Sequence, residues 1–129
     1  MKRAAGIPEI LLVDDEPLVG MLTEDMLTDL GYVRAKLVTR LADARKAAMF
    51  ETINFAVLDV NLGAGEFVFP VADILAARHI PFLFATGCGR RDIPRRFRDR
   101  PILEKPFSAG ELAAAVGDLV RRTPNAMAR

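Results

Sequence analysis

Residues 10–17 read Ile-Leu-Leu-Val-Asp-Asp-Glu-Pro. Four consecutive apolar residues closed off by acids suit a strand buried on both faces, the kind found inside a parallel sheet. Pro17 suits the first turn of a helix, where its missing N–H satisfies nothing anyway. The octet therefore reads as strand, acidic turn and helix, the first part of a βαβ unit. Leu18, Leu22, Met26 and Leu30 recur at i, i+4 and mark the apolar face of that helix, and Gly31 ends it. The same alternation continues outward. Tyr32–Val38 reads as a second strand, followed by a helix marked by Leu41, Ala44 and Ala48. Phe55–Leu58 is a third apolar run, and Gly63 and Gly65 break the chain before a helix from about 70 to 78. Pro81–Ala85 and Pro101–Leu103 supply the fourth and fifth strands. Ser108 and Glu111 have capping-box spacing, and behind them Leu112, Ala115, Val116, Leu119 and Val120 repeat at helical period. Five strands alternating with helices predict an α/β fold: a parallel sheet, right-handed crossovers, and both faces covered. In such folds the working crevice lies at the carboxyl ends of the strands.

The totals agree with one such domain. The chain has 129 residues, of which 51% are hydrophobic and 27% charged, and Lys+Arg (18) nearly cancels Asp+Glu (17). That balance argues against nucleic acid or a membrane surface as a partner. The apolar runs are far too short to span a bilayer, and the N-terminus lacks the apolar stretch of a signal peptide. Cys88 is the only cysteine, which excludes an internal disulfide and a cysteine-built zinc site. The expectation is a cytoplasmic protein with one domain over residues 9–122 and flexible ends at 1–8 and 123–129.

Each strand end carries polar chemistry. Asp14, Asp15 and Glu16 follow the first strand, Asp59 the third, Thr86 the fourth, and Lys105 with Pro106 and Phe107 the fifth. Taken singly these are ordinary loop residues, since acids cap helices and Asp favours turns. Taken together they set carboxylates, a hydroxyl and an ammonium on one rim. Crowded carboxylates need a cation, and an all-oxygen donor set favours a hard ion such as Mg2+. Asp59 is then a nucleophile of the acyl-phosphate type, with Thr86 and Lys105 placed for phosphoryl oxygens. Positioning and charge neutralisation suffice for such a transfer, so no histidine base is needed.

These residues resemble the response-regulator receiver (CheY-like) family from about Glu9 to Arg122. The matching stretches are Leu12-Val13-Asp14-Asp15-Glu16, Leu58-Asp59-Val60-Asn61-Leu62, Ala85-Thr86-Gly87 and Glu104-Lys105-Pro106-Phe107. The resemblance implies a flavodoxin-like, doubly wound (βα)5 fold with strand order 2-1-3-4-5. It makes Asp59 the phosphoacceptor, a phosphoacceptor being no turnover enzyme, with autophosphorylation and autodephosphorylation left open. Mg2+ would be held by Asp15, Asp59 and the Asn61 backbone carbonyl, with Asp14 acting through a water. Thr86 and Lys105 would hold the phosphoryl group, and the Lys105–Pro106 bond would be cis. The partner implied is a histidine kinase, HWE types included, or a histidine phosphotransfer protein, met by a monomer or weak dimer. No output domain is expected, which implies signalling by protein–protein contact or phosphorelay.

Two features depart from the common family pattern. Ile102 stands where receivers usually carry the switching Tyr or Phe, and Pro81-Phe82-Leu83-Phe84-Ala85-Thr86-Gly87 is similar to the "FAT GUY" subgroup. Only 18 residues separate Thr86 from Lys105, so the fourth helix is expected to be short or irregular. His79 reads as a basic residue at a helix end, Cys88 as a small loop residue, and Arg90, Arg91, Arg95, Arg96, Arg98 and Arg100 as a solvated run. The competing readings are a pseudo-receiver that only binds partners and a small haloacid-dehalogenase-type phosphatase. The latter places its nucleophile after the first strand with a second Asp two residues on, where this chain has Glu16 and Pro17. No G-x-G-x-x-G follows the first strand, which argues against dinucleotide binding.

Overall fold

In the computed structural model, residues 7–122 are described, so most of the ends expected to be flexible, 1–6 and 123–129, lie outside the described residues. The strands are β1 (Ile10–Val13), β2 (Ala35–Val38), β3 (Phe55–Asp59), β4 (Phe82–Thr86) and β5 (Ile102–Glu104). They form one parallel sheet in the order β2-β1-β3-β4-β5. The helices are α1 (Pro17–Asp29), α2 (Leu41–Phe50), α3 (Phe69–Ala77) and α4 (Ala109–Arg122). Where a helix between β4 and β5 would regularly stand, the chain makes two 3-10 turns, Gly89–Asp92 and Arg95–Phe97. The short spacing between Thr86 and Lys105 leaves too little chain for more.

Strand parity divides the core. Leu11, Val13, Ala56, Leu58, Phe82 and Phe84 face α2 and α3, where Ala44, Ala47 and Ala48 allow close approach. Ile10, Leu12, Phe55, Val57 and Leu83 face the other side with Leu27, Leu112, Val116 and Leu119. The capping box is present: the Ser108 N–H donates to Glu111 Oε1 (2.9 Å) and the Glu111 N–H to Ser108 Oγ (3.1 Å).

The face assigned to α1 is corrected. Leu18 and Leu22 are 77% and 60% exposed, while the buried stripe is Gly20, Thr23 and Leu27. The reason is the closeness of α1 to β2: a Cβ on Gly20 would lie 2.6 Å from Leu37 Cδ1. Small residues bring the helix down onto the sheet, and the i, i+4 leucine ladder turns outward.

α1 and α3 end alike. The Tyr32 N–H reaches the Leu27 carbonyl and the Gly31 N–H that of Thr28; the Ile80 N–H reaches Leu75 and the His79 N–H reaches Ala76. Both are Schellman closures, whose penultimate residue takes a left-handed conformation. Gly31 (φ 99°) meets that demand freely, whereas His79 (φ 61°) meets it with a side chain. His79 thus closes α3 through its backbone. His79→Gly is expected to stabilise the protein by roughly 0.5–1 kcal/mol, the relief of left-handed strain less the entropy of glycine. Urea unfolding of the two proteins measures it.

Candidate functional site

The carboxyl ends of β1, β3, β4 and β5 converge as the sheet order requires. Asp14, Asp59 and Thr86 are all buried. Asp14, Asp15 and Asp59 each offer a carboxylate oxygen within 4.8 Å of the others. Lys105 Nζ lies 3.3 Å from Asp14 Oδ2 and 3.2 Å from Asp59 Oδ1, so one ammonium joins the last strand to the first and third. Asp14 Oδ1 also accepts the Glu16 N–H at 3.0 Å, which fixes its second oxygen toward the lysine. The Lys105 N–H donates to the Thr86 carbonyl at 2.8 Å, and the Lys105–Pro106 peptide is cis. The three aspartates and Lys105 thus meet on one rim, and the Thr86 backbone lies against Lys105.

The loop after β3 completes it. Asn61 and Phe67 form an antiparallel bridge whose hydrogen bonds run from Leu62 to Glu66 and from Val68 to Val60. That pattern leaves the Asn61 carbonyl outside the bridge. The Asn61 side chain turns back, its Oδ1 accepting the Gly63 N–H at 2.8 Å. Gly63 itself has φ 81°, and a Cβ there would stand 3.1 Å from Asp15 Oδ2. A side chain at position 63 would be strained by the left-handed turn and crowded by the carboxylate, so glycine suits it.

Electrostatics show what the cluster lacks. Burial pushes the Asp59 carboxyl up to about 7 from 3.8, with Asp14 and a hydrogen bond shared with Asp15 adding to the effect against the pull of Lys105. Burial lowers the Lys105 ammonium, but Asp59 and Asp14 more than offset it, and its affinity for a proton ends above the ordinary value. One lysine cannot neutralise three carboxylates. The donor set is all oxygen, and one acid is reluctant to ionise. These residues fit a hard divalent cation.

Comparison with known proteins agrees with the geometry. No family model matches. The solution structure of SdrG from Sphingomonas melonis Fr1 is 44% identical, with a TM-score of 0.78, over 89% of this chain and 98% of SdrG. The receiver domain of the sensor histidine kinase PA1611 from Pseudomonas aeruginosa PAO1, solved with magnesium in its active site cleft, is 25% identical with a TM-score of 0.72, over 89% of this chain and 98% of that domain. The chain belongs to the response-regulator receiver family. As a receiver it is also 27% identical, over 92% of its length, to the transcriptional regulatory protein PdtaR of Mycobacterium tuberculosis, of which it spans 60%. Family and sheet order set aside the phosphatase reading, since the buried Asp59 ends the third strand and not the first. Among the described residues, no helix of the receiver is long and apolar enough to cross a membrane.

Three features escaped the sequence reading. The outward face of α1, with Leu18, Met21 and Leu22 exposed, adjoins a cavity of about 400 Å³ lined by Val19, Met26, Pro106 and Phe107. The arginine run is solvated as expected, but Arg90, Arg96 and Arg98 also hydrogen-bond within the chain. Gly63 is a close-approach residue as well as a breaker. The first was hidden because a leucine ladder reads as core, although the Gly20/Thr23 spacing could have flagged a close helix–sheet contact.

The Asp59 carboxyl gives a pH signature in metal-free protein. Its folded-state value lies above the unfolded one, so the folded protein binds that proton more tightly. Stability therefore falls as pH rises from about 4 to about 7 and levels off above. In EDTA at pH 8, Asp59→Asn is expected to be more stable than wild type by about 1–3 kcal/mol, with the gain vanishing near pH 4. Thermal melts across that range check both the sign and the window.

Proposed function

We propose that this receiver accepts a phosphoryl group on Asp59 from a histidine kinase or a histidine phosphotransfer protein. The observation that carries the reading is the single Lys105 ammonium held between Asp14 and Asp59 over three converging carboxylates. In the step, Asp59 attacks phosphorus, the donor's P–N bond breaks, and the imidazole leaves and takes up a proton. Asp59 must be ionised to attack, and Lys105 favours that form against the cost of burial. Asp15, Asp59 and the Asn61 carbonyl would hold Mg2+, with Asp14 one water away. Bound there, the ion supplies positive charge to the phosphoryl oxygens. Lys105 and the Thr86 hydroxyl are placed to meet the other oxygens as a charge and a donor. A cation at this cluster is supported by the excess of carboxylates, and by the magnesium in the related PA1611 domain.

The donor protein has to approach over the rim. The outward face of α1 and the cavity beside Pro106 and Phe107 offer apolar surface at its edge. A partner helix with apolar side chains would bury Leu22 there while presenting its imidazole to Asp59. The response is then protein–protein signalling or phosphorelay.

With Mg2+ and acetyl phosphate, wild type is expected to form a species heavier by one phosphoryl group, and Asp59→Ala is not. Intact mass spectrometry reads this directly, and an adduct on the Ala variant would refute the assignment. Binding without any Mg2+-dependent adduct would instead mark a pseudo-receiver. Leu22→Asp is expected to slow transfer from a phosphorylated kinase by about tenfold or more while leaving acetyl phosphate reactivity intact, the loss of about one buried leucine from the encounter. Transfer rates from radiolabelled kinase compare the two.

A further inference from the structure

The segment between β4 and β5 is held together by side chains. Arg90 Nη1 donates to the Arg98 carbonyl (2.8 Å) and Arg98 Nε to the Ile93 carbonyl (2.9 Å). Arg96 grips Asp73 of α3 through two hydrogen bonds of 3.0 Å, and both partners are about half exposed. Phe97, only 3% exposed, inserts beneath this clamp. Its ring lies 5.7 Å from those of Phe82 and Phe84 and stacks at 6.3 Å on Phe69, which stacks in turn on Phe67 beside the Asn61 loop.

Phe84 pairs in register with Ile102, and two residues beyond it on the same strand face stands Thr86. The aromatic ring absent from position 102 is thus supplied to the same stretch of β4 by Phe97. At the other end of the segment, the Thr86 Oγ accepts the Cys88 N–H at 3.0 Å, directly before the first 3-10 turn. The Thr86 hydroxyl, at the end of the strand beside the one that closes on Asp59, therefore anchors the start of the arginine-rich segment.

The geometry points to Phe97, with the Arg96–Asp73 clamp, as the positioning residues that couple Thr86 to this segment: when Thr86 turns its hydroxyl to a phosphoryl group on Asp59, it drops the Cys88 N–H, and the stretch from Gly89 to Phe97 loosens from α3. The proposal rests on the reading of Asp59 as acceptor. It suits the parts involved. A half-exposed ion pair is a weak tie that a modest change can open, and 3-10 turns this short have little backbone cooperativity to resist it. Arg96 also lies over the Phe97 ring at 4.6 Å, so the clamp and the ring move as a unit.

The test uses the full chain with Mg2+ and beryllofluoride, read by amide-resolved hydrogen exchange. A bound-fluoride 19F signal serves as an independent report that Asp59 is loaded. In wild type, loading is expected to speed exchange at Cys88 and at amides of 89–97 by fivefold or more, with Leu112–Leu119 unchanged. Asp73→Ala and Arg96→Ala lie outside the acceptor site and are expected to take up beryllofluoride normally. Their 89–97 amides should exchange fast before loading and change less than twofold on it. Phe97→Leu should fold and show the same uncoupling, where Phe97→Ala would risk the core. A clear 19F signal with unchanged exchange at Cys88 and 89–97 overturns the proposal, as do clamp variants that respond like wild type. Absence of the 19F signal in wild type overturns the acceptor reading instead, and the coupling with it.

Discussion

The rim depends on one ammonium. Lys105 comes from the last strand and reaches carboxylates that close the first and third, so it joins sequence positions about ninety residues apart in a buried place. An isolated carboxylate could not be kept there, because burial disfavours its charged form. With the lysine in place the site is stable yet still short of positive charge. The proposed transfer needs this condition: a carboxylate ionised enough to attack, and crowded enough to welcome a cation and a phosphoryl group.

The sheet order follows from the same need. Placing β1 between β2 and β3 brings the acids of the first turn beside Asp59, and β4 and β5 then bring Thr86 and Lys105 to the same rim. The helices cover the faces unequally. The alanines of α2 and Gly20 of α1 allow close packing on opposite sides. On α1 this close approach leaves its leucines outside, next to the site instead of beneath it.

Much of this was legible in the sequence because strand and helix periods differ and because strand-end residues are polar against apolar runs. β1, β3 and β4 declared themselves as apolar blocks, and α4 by its cap and its period. The constellation of Asp14, Asp15, Asp59, Thr86 and Lys105 was legible for the same reason, as each residue closes a separate run. What stayed hidden depends on distance in space. The direction of α1 is decided by Leu37 of β2, and no property of the helix alone reveals it. The arginines between 90 and 100 read as a solvated run, because their partners are two backbone carbonyls, an acid on α3 and an aromatic face on β4. Phe97, set among them, looked like an isolated apolar residue in a loop.

That use of arginine has an evolutionary consequence. The stretch is tied by planar guanidinium groups that reach carbonyls, a carboxylate and ring faces in fixed directions. Lysine carries the same charge but has neither the fork nor the flat surface. An exchange that keeps the charge pattern would therefore loosen this loop. A lysine at position 96 could not grip Asp73 with two parallel bonds, so the connection between β4 and β5 would rest more on the buried Phe97 ring.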